Sequence, residues 1–335
     1  MQNRKNSTLL QKAQPLVSFI VTCYNLPLQI LCECIDSIRA LSLLPSEREI
    51  IVIDDGSEVS PINGLMQYGD DIIYVRQKNA GVSVARNTAL QMAKGKYIQI
   101  IDGDDKLLKV PYEHCLNIIR IDPDADMVMF DFTKSQSPVS SSRTYTTSDK
   151  MSGTAYMNNH NMHGAVWCCL FREAIRGTVE FSPGIYYGED EEFTPQLLVR
   201  AETVYNTDAQ AYYYRQRNTS AVHKIDENSK QKRLNDTRTV IDRLNDMADH
   251  LPHNDRLAMQ RRVAQLTMDY IYNIIMLTHS QKELDERLEE LHKKGLFPLP
   301  DRNYSQKYKW FRKMTNSKTG RFLLLHSLPL LKKER

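Results

Sequence analysis

Apolar runs and helical patterns alternate along the first 130 residues, and three of the runs end in polar clusters. Residues 16–23, LVSFIVTC, read as a buried strand ending in Thr22, Cys23, Tyr24 and Asn25. EIIVIDDGS from Glu49 is a second strand, DIIYV from Asp71 a third, KYIQIIDGDD from Lys96 a fourth and DMVMFDF from Asp126 a fifth. Between them, Leu28, Leu31, Ile35, Ile38 and Leu41 recur at helical spacing, and GVSVARNTALQMAKG from Gly81 reads as a helix stopped by Gly95. Strands alternating with helices predict an α/β fold with a mostly parallel sheet. Ligands of such sheets bind outside the carboxyl ends of the strands. Those ends carry Tyr24–Asn25, Asp54–Ser57 and Asp102–Asp105.

With 335 residues, 41% of them hydrophobic and 25% charged, the chain is long enough for one large domain with an appendage, and too apolar for disorder. Its six cysteines form no CxxC pair and no zinc spacing. Most lie in apolar runs, where a reduced thiol acts as a small hydrophobe, so a reducing cytoplasm is the expected compartment. Residues 1–14 lack the apolar core of a signal peptide, and no uncharged apolar run reaches the 18 residues of a membrane span. Residues 133–150 are rich in Ser and Thr and read as an exposed loop, and helical patterns cover about 225–249, 255–278 and 281–293.

The strand ends suggest chemistry. Asp102 and Asp104, one residue apart around Gly103, can share a divalent cation, and Mg²⁺ or Mn²⁺ prefers such oxygen ligands and bridges diphosphates. Asp54 and Asp55 end the second strand, where a carboxylate can accept a uracil imide N–H or a ribose hydroxyl. Alternatively they are turn-forming acids. Tyr24 can stack on a base or pack as an ordinary aromatic.

VSFIVTCYN, EIIVIDDGS, NAGVSVARNTALQMAKGKYIQIIDGDD and GEDEEF, in that order, resemble the family-two glycosyltransferases of GT-A fold. The resemblance covers residues 16–223. Cys23 and Thr88 depart from the family's usual pattern. The resemblance implies a nucleotide-diphospho-sugar donor, a divalent metal and inversion at the anomeric carbon. It implies that Thr22, Tyr24, Asn25, Asp54 and Asp55 surround the nucleoside. Arg86 and Asp102 would lie near the donor, and Asp104 would hold the metal. The Glu189–Asp190 pair would supply the general base, assigned to Asp190. Trp167 would floor the acceptor sugar unless it is buried packing. Arg215 or Arg217 would neutralise the leaving diphosphate unless engaged in a salt bridge, and His223 is a candidate third metal ligand.

The expected organisation is an N-terminal extension over 1–15, a GT-A domain over 16–223, a helical region over 224–293 and a basic amphipathic tail over 294–335. From Lys293 to Arg335 the net charge is +10, against −7 for the rest of the chain. Tyr304, Tyr308, Trp310 and Phe311 stand among the basic residues, before the run Phe322–Leu331. Such a segment suits the anionic inner face of the cell membrane, unless it is a helix packed on the domain. Nucleic acid is not an expected partner, because the acidic body would repel it. The expected activity is transfer of a hexose or N-acetylhexosamine from a UDP-sugar to a saccharide acceptor, taken as lipid-linked, in cell-surface polysaccharide synthesis. The alternative is an idle sugar-nucleotide-binding protein docked on a membrane assembly. A nucleotidyltransferase would need a Gly-rich basic loop after the first strand, and TCYNLPLQ has none.

Overall fold

The computed structural model describes residues 14–135, 143–216, 226–302 and 304–333. Its strands are β1 (Val17–Cys23), β2 (Arg48–Asp54), β3 (Ile73–Arg76), β4 (Tyr97–Asp102), β5 (Lys106–Leu107), β6 (Met127–Thr133), β7 (Cys169–Arg172) and β8 (Val204–Tyr213). They form one sheet in the order β3-β2-β1-β4-β7-β6-β8-β5. β3, β2, β1 and β4 run parallel, as the alternating pattern predicts. β7 is antiparallel to both its neighbours, so the second half of the sheet is mixed. CLFR, at four residues, is too short to be told from a loop by periodicity.

Alternation along β1 sorts its side chains onto two faces. Val17, Phe19, Val21 and Cys23 join one core, with α1 (Leu28–Arg39) and α4 (Lys109–Ile121). Ile20 joins the other, with α3 (Val82–Met92) and α7 (Glu189–Leu198). Short helices α2 (Ile62–Leu65), α5 (Gly153–Asn159) and α6 (Glu173–Arg176) fill the connections.

The C-terminal helices are α8 (Glu227–Asp249), α9 (His253–Thr278), α10 (Gln281–Lys293), α11 (Gln306–Thr315) and α12 (Lys318–Lys333). Asp226 and Ser280 cap α8 and α10 by accepting the backbone N–H groups of Ser229 and Glu283. Leu234, Val240, Ile241, Leu244 and Ala248 make the buried stripe of α8. These helices share one continuous apolar core with Ile51, Ile98 and Met127 of the sheet. The tail belongs to that core as well: Leu299, Tyr304, Phe311, Leu324 and Leu325 are all buried. All six cysteines are free, and five are buried. Among the described residues, no helix is long and apolar enough to cross a membrane.

Candidate active site

Register aligns the strand ends. Cys23 of β1 pairs with Asp54 of β2, and Thr22 pairs with Asp102 of β4. Gly103 makes the close approach possible, because a Cβ there would lie 2.7 Å from the Thr22 carbonyl oxygen. Beside these ends opens a cavity of about 1150 Å³. Thr22, Tyr24, Asn25, Asp55, Arg86, Asp102, Asp104, Trp167, Glu189, Asp190 and Arg215 line it. Asp54 is not among the lining residues. Arg217 and His223 lie outside the described residues.

The acids ending β2 shape the loop. Asp54 is fully buried, and its Oδ1 accepts the Ser57 N–H at 2.9 Å. Its Oδ2 accepts the Tyr74 hydroxyl at 2.9 Å and lies 3.3 Å from Arg76 Nε. Asp55 Oδ1 accepts from Gln77 Nε2 and the Ala80 N–H, and its Oδ2 accepts the Gly81 N–H. Oδ2 therefore keeps a lone pair for one further donor. Asn25 ties the first loop to the second: its N–H donates to Ser57 Oγ, and its Oδ1 accepts the Glu58 N–H. Tyr24 is half exposed.

Arg86 is the centre of the charged site. It is 2% exposed, and its guanidinium lies 5.1 Å from the Phe181 ring centroid. Nη2 donates to Asp102 Oδ1 at 2.8 Å, while Nη1 donates to Asp190 Oδ1 at 2.6 Å and Glu189 Oε1 at 3.0 Å. One cation thus faces three carboxylates from two elements. Burial opposes its charge, but Asp190, Asp102 and Glu189 outweigh burial and raise its pKa. Burial, and next the Asp190 charge, push Glu189 up to about 8, against Arg86. Burial also raises Asp190, with Arg86 opposing. Asp190 Oδ2 accepts the Val166 N–H at 3.3 Å. The family resemblance implies a place for Arg86 near the donor; its link from β4 to α7 emerges only in the fold.

Neighbouring contacts fix that link. Asn87 Nδ2 donates to the Phe181 carbonyl, and the Phe181 N–H donates back to Asn87 Oδ1, both at 2.8 Å. α3 thereby holds the loop that leads into α7. Gly188, at φ +90°, turns the chain into that helix in a conformation L side chains rarely adopt.

At the end of β4, Asp105 is 1% exposed; its Oδ1 accepts the Arg215 N–H and its Oδ2 the Tyr212 hydroxyl. Burial, then the charges of Asp102 and Asp104, raise its pKa to about 8. Arg215 Nε donates to the Asp104 carbonyl, and Nη2 pairs with Glu33 at 2.6 Å, so this cation holds the loop in place. Trp167 stacks on Tyr212 at 4.5 Å and on Tyr214 at 5.6 Å between ring centroids.

Part of the lining comes from residues outside the motifs. Tyr186, Tyr187, Lys232, Arg233, Asp269 and Asn273 all line the cavity. The Tyr186 N–H donates to Asp236 of α8 at 2.9 Å. Tyr186 and Tyr187 adjoin the GEDEEF motif, which could have drawn attention to them. The α8 and α9 residues carry no local signal.

Residues 18–176 match the model of the family described as "Glycosyl transferase family 2". That match, over just under half of the chain, places residues 18–176 with the family-two glycosyltransferases. It is 29% identical over 215 residues to the "Uncharacterized glycosyltransferase EpsJ" of Bacillus subtilis (strain 168), a match spanning 60% of this chain and 61% of that protein. It is 26% identical over 211 residues to that organism's "Minor teichoic acid biosynthesis protein GgaB", spanning 60% of this chain but 23% of GgaB. Among solved structures, residues 1–349 of S. aureus TarS in complex with UDP-GlcNAc superimpose with a TM-score of 0.68 at 16% identity. That superposition covers 95% of this chain and 91% of TarS 1–349, and it shows the GT-A fold.

Proposed function

We propose that this protein is an inverting glycosyltransferase that moves a hexose or N-acetylhexosamine from a UDP-sugar to a saccharide acceptor in cell-surface polysaccharide synthesis. The observation that carries this reading is Arg86, which joins Asp102 at the strand ends to Asp190 on α7 inside one cavity. A donor site and a base on opposite sides of a reacting carbon are what a single in-line displacement needs. The names of EpsJ and GgaB, and the UDP-GlcNAc held by TarS, support the same class.

In this reading Tyr24 stacks on the uracil, and the remaining lone pair of Asp55 Oδ2 receives its imide N–H. Thr22, Asn25 and Asp54 maintain the loops around it. Asp190 takes the proton of the acceptor hydroxyl as that oxygen attacks the sugar's C1. The bond from C1 to the diphosphate oxygen breaks, and UDP leaves with the bonding electrons. Burial and the Asp190 charge push Glu189 up to about 8, which favours its protonated form near neutrality beside Asp190. Arg86 orients Asp190, while desolvation keeps it basic despite that cation. Trp167 floors the acceptor sugar, and Arg215 fixes the Asp104–Asp105 loop beside the leaving group.

Among the described residues no group of three or more His, Cys, Asp or Glu could hold a metal ion by itself. Asp104, with Asp102 nearby, instead fits an open site of one or two carboxylates that diphosphate and water complete, as suits Mg²⁺ or Mn²⁺. A cation there would supply neutralising charge to the diphosphate.

The test is a panel of nucleotide-sugars scored for binding and for metal-dependent transfer, with product stereochemistry read by NMR. The expected result is turnover of a UDP-sugar with an inverted anomeric centre. Retention of configuration would contradict the single-base mechanism, and binding without turnover over a broad acceptor panel would favour the idle binding protein.

A further inference from the structure

We propose that the outward face of α11 and α12 seats the protein on an anionic lipid leaflet. α12 is apolar on two sides. Leu324 and Leu325 are buried in the shared core, whereas Phe322, Leu323 and Leu330 are each more than half exposed. At 100° per residue, positions 322, 323, 326 and 330 fall within one 100° arc, facing away from 324 and 325. His326 packs on Phe322, with ring centroids 4.3 Å apart. On α11, Phe311 is buried while Trp310 is 53% exposed. Three half-exposed apolar side chains along one arc of α12 mark an interaction surface, unlike scattered single hydrophobes, and α11 adds the exposed Trp310.

Charge selects the occupant. Lys307, Lys313 and Lys318, on the same two helices, are exposed. Asp301, the acid of this segment among the described residues, pairs with Arg312 at 2.8 Å. The segment from Lys293 carries +10 and the rest of the chain −7, so an anionic surface attracts this end and repels the other. Trp beside Lys is the composition of a membrane-surface segment. A partner protein with an apolar patch would not need this basic surround.

The inner side of α11 ties this surface to the cavity lining. The Tyr308 hydroxyl donates to Asp269 Oδ1 at 2.8 Å, and Asp269 lines the cavity. A protein so seated meets a saccharide acceptor carried on a lipid. That consequence rests on the proposed transfer activity, but the binding itself does not.

Removing the tail would strip Leu299, Tyr304, Phe311, Leu324 and Leu325 from the core, so the test changes the outer face only. Full-length protein is co-sedimented with vesicles of phosphatidylcholine alone and of phosphatidylcholine with phosphatidylglycerol. Binding is expected to the anionic vesicles and to weaken as salt rises. Trp310→Ser with Phe322→Ser and Leu330→Ser should lower partitioning about tenfold or more, with melting temperature and nucleotide binding retained. Lys307→Gln with Lys313→Gln and Lys318→Gln should lower binding to anionic vesicles and flatten the salt dependence. The chain has two tryptophans, so Trp310 emission can be isolated with Trp167→Phe. It should shift to the blue on adding anionic vesicles, a readout that leaves the outer face intact. The proposal is overturned if the full-length protein ignores both vesicles, or if the serine variant binds as well as the parent. It is equally overturned if the face instead closes a dimer that the serine variant dissociates.

Discussion

At the end of β2, Asp54 and Asp55 accept hydrogen bonds from backbone N–H groups, a Tyr hydroxyl and a Gln amide, with Arg76 Nε 3.3 Å from Asp54. At the end of β4, Asp102, Asp104 and Asp105 crowd together, with Arg86 bridging Asp102 to Asp190 and Glu189. Both are pairs or triplets of acids ending parallel strands on either side of β1. The carboxylates of β2 are satisfied mainly by neutral donors and hold a loop. Those around β4 and α7 are crowded with more negative than positive charge, and Asp105, Glu189 and Asp190 are displaced upward in pKa. Crowded, shifted carboxylates are the arrangement expected where chemistry occurs.

The strongest way to break this contrast is Asp104→Ala. Turnover should fall to background while the melting temperature stays within a few degrees, because no core packing is lost. An active variant would remove the distinction between the two strand ends.

Arg86→Lys keeps the charge but cannot bridge three carboxylates with a planar fork. kcat should fall by about tenfold to a hundredfold, as expected for a misplaced base. Asp190 must be deprotonated to act, and burial raises its pKa, so activity should fall as pH drops through a value above the usual carboxylate range. Arg86 opposes that rise, so weakening its contact should move this acid limb to higher pH. A pH profile of kcat/KM for both proteins measures the shift, and an unmoved limb would show that Arg86 does not tune the base.

Asp54→Asn should act on stability. It weakens the contacts to Ser57, Tyr74 and Arg76 at a buried site, worth about 1–3 kcal/mol. Denaturant unfolding measures that loss, and kcat of the folded fraction should change only a few-fold. A collapse of kcat with unchanged stability would place Asp54 in the chemistry.

Much of this was legible in the chain. The parallel order of β1 to β4 follows from short apolar runs alternating with helical stripes, and the polar ends of those runs become one cavity edge. Asp54 and Asp55 could not be separated, because adjacent residues with the same chemistry differ only in which partners the loop brings. Arg86 stands in the motif, but its three partners lie 16, 103 and 104 residues away. Lys232, Arg233 and Asp269 reach the cavity through the packing of α8 and α9, which helical periodicity cannot orient. The tail read as an amphipathic segment with two possible fates. α11 and α12 are docked on one side and exposed on the other, a division that the run RFLLLHSLPLL does not reveal by itself.

In the proposed mechanism Asp190 is the base and Glu189 its protonated neighbour, and paired substitutions separate the two. Single-turnover rates and donor affinities are measured for Asp190→Asn and Glu189→Gln. Asp190→Asn should lose about 10²–10⁴ in rate, the usual worth of a positioned base, with donor affinity unchanged. Glu189→Gln, which mimics the protonated acid, should retain most of the rate. A dead Glu189→Gln beside an active Asp190→Asn would reverse the assignment and contradict the account.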